Sequence, residues 1–257
     1  MERGGTISSS LRVDSSKLSV KKAYVCWIDI MGTKTIMSES FQRAVNFILR
    51  FHACCLQSIR ENRSLRFYPL MDGCFIIAKD QRSISSALNL IIGNMAELFV
   101  GEKTLAHRFV IRGALAYGEL SQGESITEDV CLEISKAENY RQGLLFGLPM
   151  IQAYTSEKNA PPFGIYIHES ARKVGSFQGR YYSWCNDLQI NDRMVSALHS
   201  YFAWCKRFSY YLEMEPQKID YYDKLVSEYY SNRNTLIEED LAIYSQEDKG
   251  VVVENTD

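Results

Sequence analysis

The sequence has almost no excess of charge of either sign: 29 Lys and Arg stand against 31 Asp and Glu, a net charge of -2. No global field draws such a chain to a polyanion, and no concentrated basic run appears along it, so nucleic acid is not an expected partner. Long hydrophobic runs are scarce as well. The longest, Leu88 to Val100, is interrupted by Asn89, Asn94 and Glu97 and is too short to span a bilayer, so no membrane partner is expected. The seven cysteines contain no CxxC pair and are odd in number, and most have apolar neighbours, where a thiol acts as a small hydrophobe. That usage fits a reducing cytosol. The first 22 residues are polar and lack an apolar core of signal-peptide length, which adds to the expectation of a cytoplasmic protein. His52, His107, His168 and His199 lack metal-ligand spacing, and no P-loop, G-x-S-x-G or Rossmann fingerprint is present.

The 257 residues are 46% hydrophobic and 12% aromatic, which excludes disorder and suffices for a sizeable core. From Ala23, AYVCWIDI is a nearly continuous apolar run ending in an acid, the pattern of a buried central strand with Asp29 at its end. MGTK then reads as a tight turn, and Phe41 to Ile59 has helical spacing. LRFYPL and CFIIA flank Met71, Asp72 and Gly73, and Asp-Gly between apolar runs is a hairpin signal that puts Asp72 at the tip. Residues 83–101 read as a helix, Arg108 to Leu120 as a long strand, Lys136 to Lys158 as a helix despite Pro149, and residues 163–168 as a strand. After Asn186 the chain becomes aromatic and amphipathic to about Tyr230. The aromatic stripe from Tyr201 has helical spacing and few interleaved cations, which favours packing over base stacking.

This order predicts an α+β fold whose mostly antiparallel sheet is covered by helices on one side, with a C-terminal helical appendage. The expected divisions are a flexible segment 1–22, a catalytic domain 23–185, the appendage 186–232 and an acidic tail 233–257. In such a fold the hairpin can pair beside the first strand and bring Asp72 next to Asp29. Two facing carboxylates repel unless cations lie between them, which divalent ions would supply. Taken singly, Asp29 reads as a turn or capping residue and Asp72 as hairpin chemistry. The joint pattern is what singles them out.

That pattern resembles the catalytic domain of the class III nucleotide cyclases, the adenylate and guanylate cyclase family. The residues that carry the resemblance are Asp29-Ile30-Met31-Gly32-Thr33, Met71-Asp72-Gly73, Ile111 to Gly118 (IRGALAYG) and Gly147 to Ala153 (GLPMIQA), in the family's order over roughly residues 23–170. The resemblance implies a palm-like, ferredoxin-like sheet and Asp29 and Asp72 as catalytic ligands of two Mg or Mn ions, with Ile30 contributing its carbonyl. It further implies a phosphate-binding turn formed by Met31, Gly32, Thr33 and Lys34, and a homodimer in which residues 140–158 complete the partner's site. The chain departs from the family at five positions. Thr33 replaces a Phe, and the family's helix Asn and Arg fall at Ile151 and Thr155. Leu144 stands where an Asp is usual, and Tyr68 replaces the adenine-reading Lys. Lys34, Arg141, Lys158, Arg172 and Lys173 are the basic residues that could substitute for the Arg. Tyr68, with Arg112 as a further base or phosphate contact, is similar to the pyrimidine cyclases of bacterial Pycsar anti-phage defence. This likeness implies UTP, or else CTP, as substrate and a downstream effector reached through the cyclic product. The alternatives are a purine cyclase and an inactive nucleotide-sensing or dimerisation domain.

Overall fold

A computed structural model describes residues 12–175, 177, 179–184, 188–208 and 216–231. The acidic tail expected over 233–257 and the first 11 residues of the expected flexible segment lie outside these. Residues 12–20 are tied to the body: the Asp14 N–H donates to the Val130 carbonyl at 2.9 Å, and Ser121 Oγ donates to the Ser19 carbonyl at 2.9 Å.

The first strand, β1 (Lys21–Ile30), is buried without a break from Ala23 to Ile28. A strand apolar on both faces must be covered on both, so it takes a central place. The helices α1 (Thr33–Glu39) and α2 (Phe41–Glu61) follow, then the hairpin of β2 (Arg66–Leu70) and β3 (Gly73–Ala78), the helix α3 (Gln81–Gly101) and the long strand β4 (Ile111–Gln122). Two short helices, α4 (Leu132–Lys136) and α5 (Glu138–Gln142), lead to β5 (Leu145–Phe146) and α6 (Leu148–Ser156). The strand β6 (Ile165–Ile167), α7 (Glu169–Arg172), α8 (Leu188–Arg207) and α9 (Pro216–Ser231) complete the described chain. The sheet order is β2-β3-β1-β4-β5, all antiparallel, with β6 added parallel to β4. The α+β architecture with a mostly antiparallel sheet is as the sequence predicts.

Its cover is not one-sided. Tyr24, Cys26, Ile28 and Ile30 face the main core with α2 and α3, while Ala23, Val25 and Trp27 face a second cluster that includes Ala153 of α6. The single helix expected over 136–158 is also broken. Gly147 takes φ 157° and Pro149 sits in the first turn of α6, where its missing N–H has no partner to lose. The segment expected as a helical appendage holds α8 and α9. Their shared face buries Phe202, Cys205, Ile219, Tyr222 and Val226, so the aromatic stripe packs as core. Lys206 to Asp220 at 2.7 Å and His199 to Asp223 at 2.5 Å pin one helix to the other.

The apolar segment judged too short for a membrane span belongs to α3, whose 21 residues are long and apolar enough to cross one by composition. Ile84, Leu88, Ile91 and Ile92 are instead fully buried in the main core. Six cysteines, 26, 54, 55, 74, 131 and 205, are buried free thiols, as their apolar settings predict; Cys185 lies outside the described residues.

Candidate functional site

Asp29 is the penultimate residue of β1, and the ladders place it opposite Gly73 of β3 and opposite Arg112 of β4. The hairpin turn comprises Met71 and Asp72, because Leu70 already pairs with Gly73. Asp72 therefore immediately precedes the residue paired with Asp29, and the two acids, distant in sequence, meet at one end of the sheet. Gly73 is not part of the turn, contrary to the Asp-Gly reading. It is glycine because the Trp27 ring lies against it: a Cβ there would fall 2.3 Å from Trp27 Cζ2. The positive φ of the turn falls on Met71, at 56°, an uncommon conformation for a residue with a side chain.

Both carboxylates are half-buried. Burial pushes the Asp29 carboxyl up to about 7, helped by the negative charges of Asp72 and Glu157; the Ile30 N–H at 2.9 Å and Arg112 act in the opposite sense. An unneutralised pair of this kind is an anionic, hard-oxygen donor set, the chemistry that Mg²⁺ and Mn²⁺ prefer. Asp29, Asp72 and the Ile30 carbonyl, which accepts from Thr33 Oγ1 at 3.1 Å and keeps a second lone pair, fit such ions. Among the described residues, no group of three or more His, Cys, Asp and Glu side chains gathers as a metal site.

The turn after β1 is shorter than the sequence suggests. Gly32 adopts φ 79°, which glycine reaches without steric cost, and α1 starts at Thr33, so Thr33 and Lys34 are helical. The Met31 N–H donates to the Val110 carbonyl at 2.8 Å. Met31 is thereby removed from the expected phosphate-binding N–H groups, and Gly32, Thr33 and Lys34 are left.

Arg112 stands beside Asp29 but is committed elsewhere. Its Nε donates to Glu157, its Nη1 donates to the Tyr222 hydroxyl of α9 at 2.8 Å, and its guanidinium lies 5.6 Å from the centre of the Tyr222 ring. Glu157 and Tyr222 are the residues that sequence reasoning missed, and no motif marks either. Glu157 follows α6, so the end of the 140–158 segment reaches the Asp29 of its own chain.

Tyr68 lies two strands from Asp29 on the same face, since it pairs with Phe75, which pairs with Trp27. Its hydroxyl accepts from Gln122 Nε2 at 2.9 Å, and its ring packs on the second cluster. On α6, Ile151 is exposed and the Thr155 hydroxyl donates to the Ile151 carbonyl at 2.7 Å. Among the basic candidates, Arg141 donates to the Ile126 carbonyl at 3.1 Å and Lys173 pairs with Glu169 at 3.7 Å. Lys34 and Lys158 are exposed next to site residues, the one in the first turn of α1 and the other after Glu157.

No protein-family model and no curated protein matches the chain. Among solved structures it is similar to the monomeric guanylyl cyclase domain of the RhoGC fusion protein of the aquatic fungus Blastocladiella emersonii, with 16% identity, 61% of this chain and 86% of that one covered, and a TM-score of 0.45. A guanylate cyclase domain of RhGC from Catenaria anguillulae, in complex with GTP, is similar at 16% identity over 63% of this chain and 86% of that one, with a TM-score of 0.46. A bacterial light-regulated adenylyl cyclase is similar at 14% identity over 70% of this chain, with a TM-score of 0.48; the match spans 58% of that longer chain. At such identities the likeness concerns shape alone.

Proposed function

We propose that the chain is a metal-dependent nucleotide cyclase that converts UTP, or less readily CTP, to the 3′,5′-cyclic monophosphate and pyrophosphate. The observation that carries this reading is the meeting of Asp29 and Asp72 at one sheet end, with the Asp29 carboxyl pushed up to about 7 by burial and by its neighbours' charge. Asp29, Asp72 and the Ile30 carbonyl would hold two Mg or Mn ions. When bound, these supply Lewis-acid activation of the ribose 3′-hydroxyl and neutralise charge on the triphosphate. The 3′-oxygen then attacks the α-phosphorus, the bond to the bridging oxygen breaks, the proton passes to solvent and pyrophosphate leaves.

The backbone at Gly32, Thr33 and Lys34 orients the β and γ phosphates, and the Lys34 and Lys158 ammonium groups oppose the growing charge. Tyr68 fills the volume a purine's second ring would need. Arg112 contacts base or phosphate only by exchanging Glu157 and Tyr222 for the substrate. The active form is a cytoplasmic homodimer, and the cyclic product serves as a second messenger in bacterial anti-phage defence, read by a downstream effector.

Incubating the purified chain with UTP, CTP, ATP and GTP in Mn²⁺, and resolving the products by mass, tests this. Cyclic UMP in excess of cyclic CMP is expected. Purine products alone overturn the pyrimidine assignment, and no product from any of the four overturns the enzyme.

A further inference from the structure

The end of the sheet opposite Asp29 carries a concavity of about 420 Å³, within the ~300–1,000 Å³ usual for small-ligand sites. Ala23, Ile77, Ala78 and Leu120 form its buried apolar floor. Its rim holds five cations brought from four places in the chain: Lys21 and Lys22 at the start of β1, Arg63 before β2, Arg66 at the start of β2 and Lys79 just after β3. One acid, Glu124, also lines the rim and stands 3.8 Å from Arg66 in an exposed pair. Among the described residues, Lys21, Lys22, Arg63 and Lys79 form no ion pair. Lys21 is eight positions from Asp29 along β1, about 26 Å at the rise of a strand, so the pocket lies away from the two aspartates, while Gln122 of its lining donates to the Tyr68 hydroxyl.

Five like charges around one cavity repel each other, and one acid cannot neutralise them. The group that fits is a compact polyanion: two arginine forks match phosphate oxygens, and three ammonium groups add point charge. The apolar floor suits the uncharged part of such a ligand. A concavity of this size bounded by strand ends does not suit an extended nucleic acid, which needs a basic stripe. We propose that this pocket binds a small molecule bearing two or more phosphate groups.

Calorimetric titration with sodium pyrophosphate tests this, at roughly physiological salt, where diffuse attraction is screened, and in EDTA, so that no ion bridges the ligand to Asp29 and Asp72. Wild type should bind, Arg63→Ala/Arg66→Ala should weaken binding about tenfold or more, and Asp29→Ala/Asp72→Ala should leave it unchanged. Both arginines are exposed, and a thermal melt of each variant verifies folding; Lys79→Glu provides a second pocket variant with the same expected direction. Several results overturn the site: no binding by wild type, full binding by the pocket variants, or loss of binding in the aspartate variant. Equal affinity for inorganic phosphate overturns the requirement for more than one phosphate. Displacement of pyrophosphate by a lower concentration of a single-stranded oligonucleotide overturns the small-molecule assignment.

Discussion

At the scale of single residues, Asp29 has the clearest chemistry. Its folded carboxyl titrates near 7, well above the roughly 3.9 of an unfolded aspartate, so the folded state holds the proton more tightly. The stability this contributes is fully present below about pH 4 and is lost as pH rises through about 7. Melting temperatures should therefore fall over that window in wild type, and Asp29→Asn should flatten the fall. Mn²⁺ should stabilise wild type more at pH 8 than at pH 5, because the ion binds the ionised form; equal stabilisation at both would remove Asp29 from the ligands. For turnover, Asp29→Ala or Asp72→Ala should cost on the order of 10³-fold or more, several kcal/mol in the barrier, with circular dichroism unchanged. Tyr68 addresses selectivity. A pocket that excludes by volume can discriminate by about 10²-fold or more, so wild type should prefer pyrimidine over purine triphosphates, and Tyr68→Ala should narrow that gap. Measuring the four rates for both proteins checks this, and an unchanged ratio would remove Tyr68 from the base pocket.

At the scale of elements, the β2–β3 hairpin determines where Asp72 stands, and its register depends on Gly73. An alanine Cβ would lie 2.3 Å from the Trp27 ring and 2.9 Å from the Ile28 carbonyl, and the second of these is backbone that cannot rotate away. Gly73→Ala should destabilise the protein by about 1–3 kcal/mol, as overpacked sites do. It should also lower turnover beyond the loss of folded protein, because Asp72 moves with the strand. Adding Trp27→Phe should return part of the stability in denaturant titrations, an interaction between neighbours that independent sites do not show. The hairpin's position was legible from two apolar runs around Asp-Gly. Its mechanism was not, since the demand for glycine comes from a tryptophan on another strand.

At the scale of the whole molecule, α6 covers the second face of the sheet while leaving Leu148, Ile151 and Tyr154 exposed at intervals of three along the helix. An apolar stripe of this kind fits self-association of the proposed homodimer. Ile151→Glu should shift the sedimentation of the chain from dimer to monomer, and turnover should fall with it. A dimer that survives the change would place the contact on another face.

The sequence by itself determined the central strand, the helices α2 and α3 and the place of the hairpin, because each rests on a local period or a turn signal. It also named Asp29 and Asp72, through their positions at a strand end and a turn. Tertiary structure alone decided what those acids meet. Glu157 and Tyr222 reach Arg112 from the end of α6 and from α9, and the five cations of the basic pocket converge from separate strand ends although the chain has no basic run. The physical reason is common to both: charge interactions depend on distance through space and on burial, and neither is encoded in spacing along the chain.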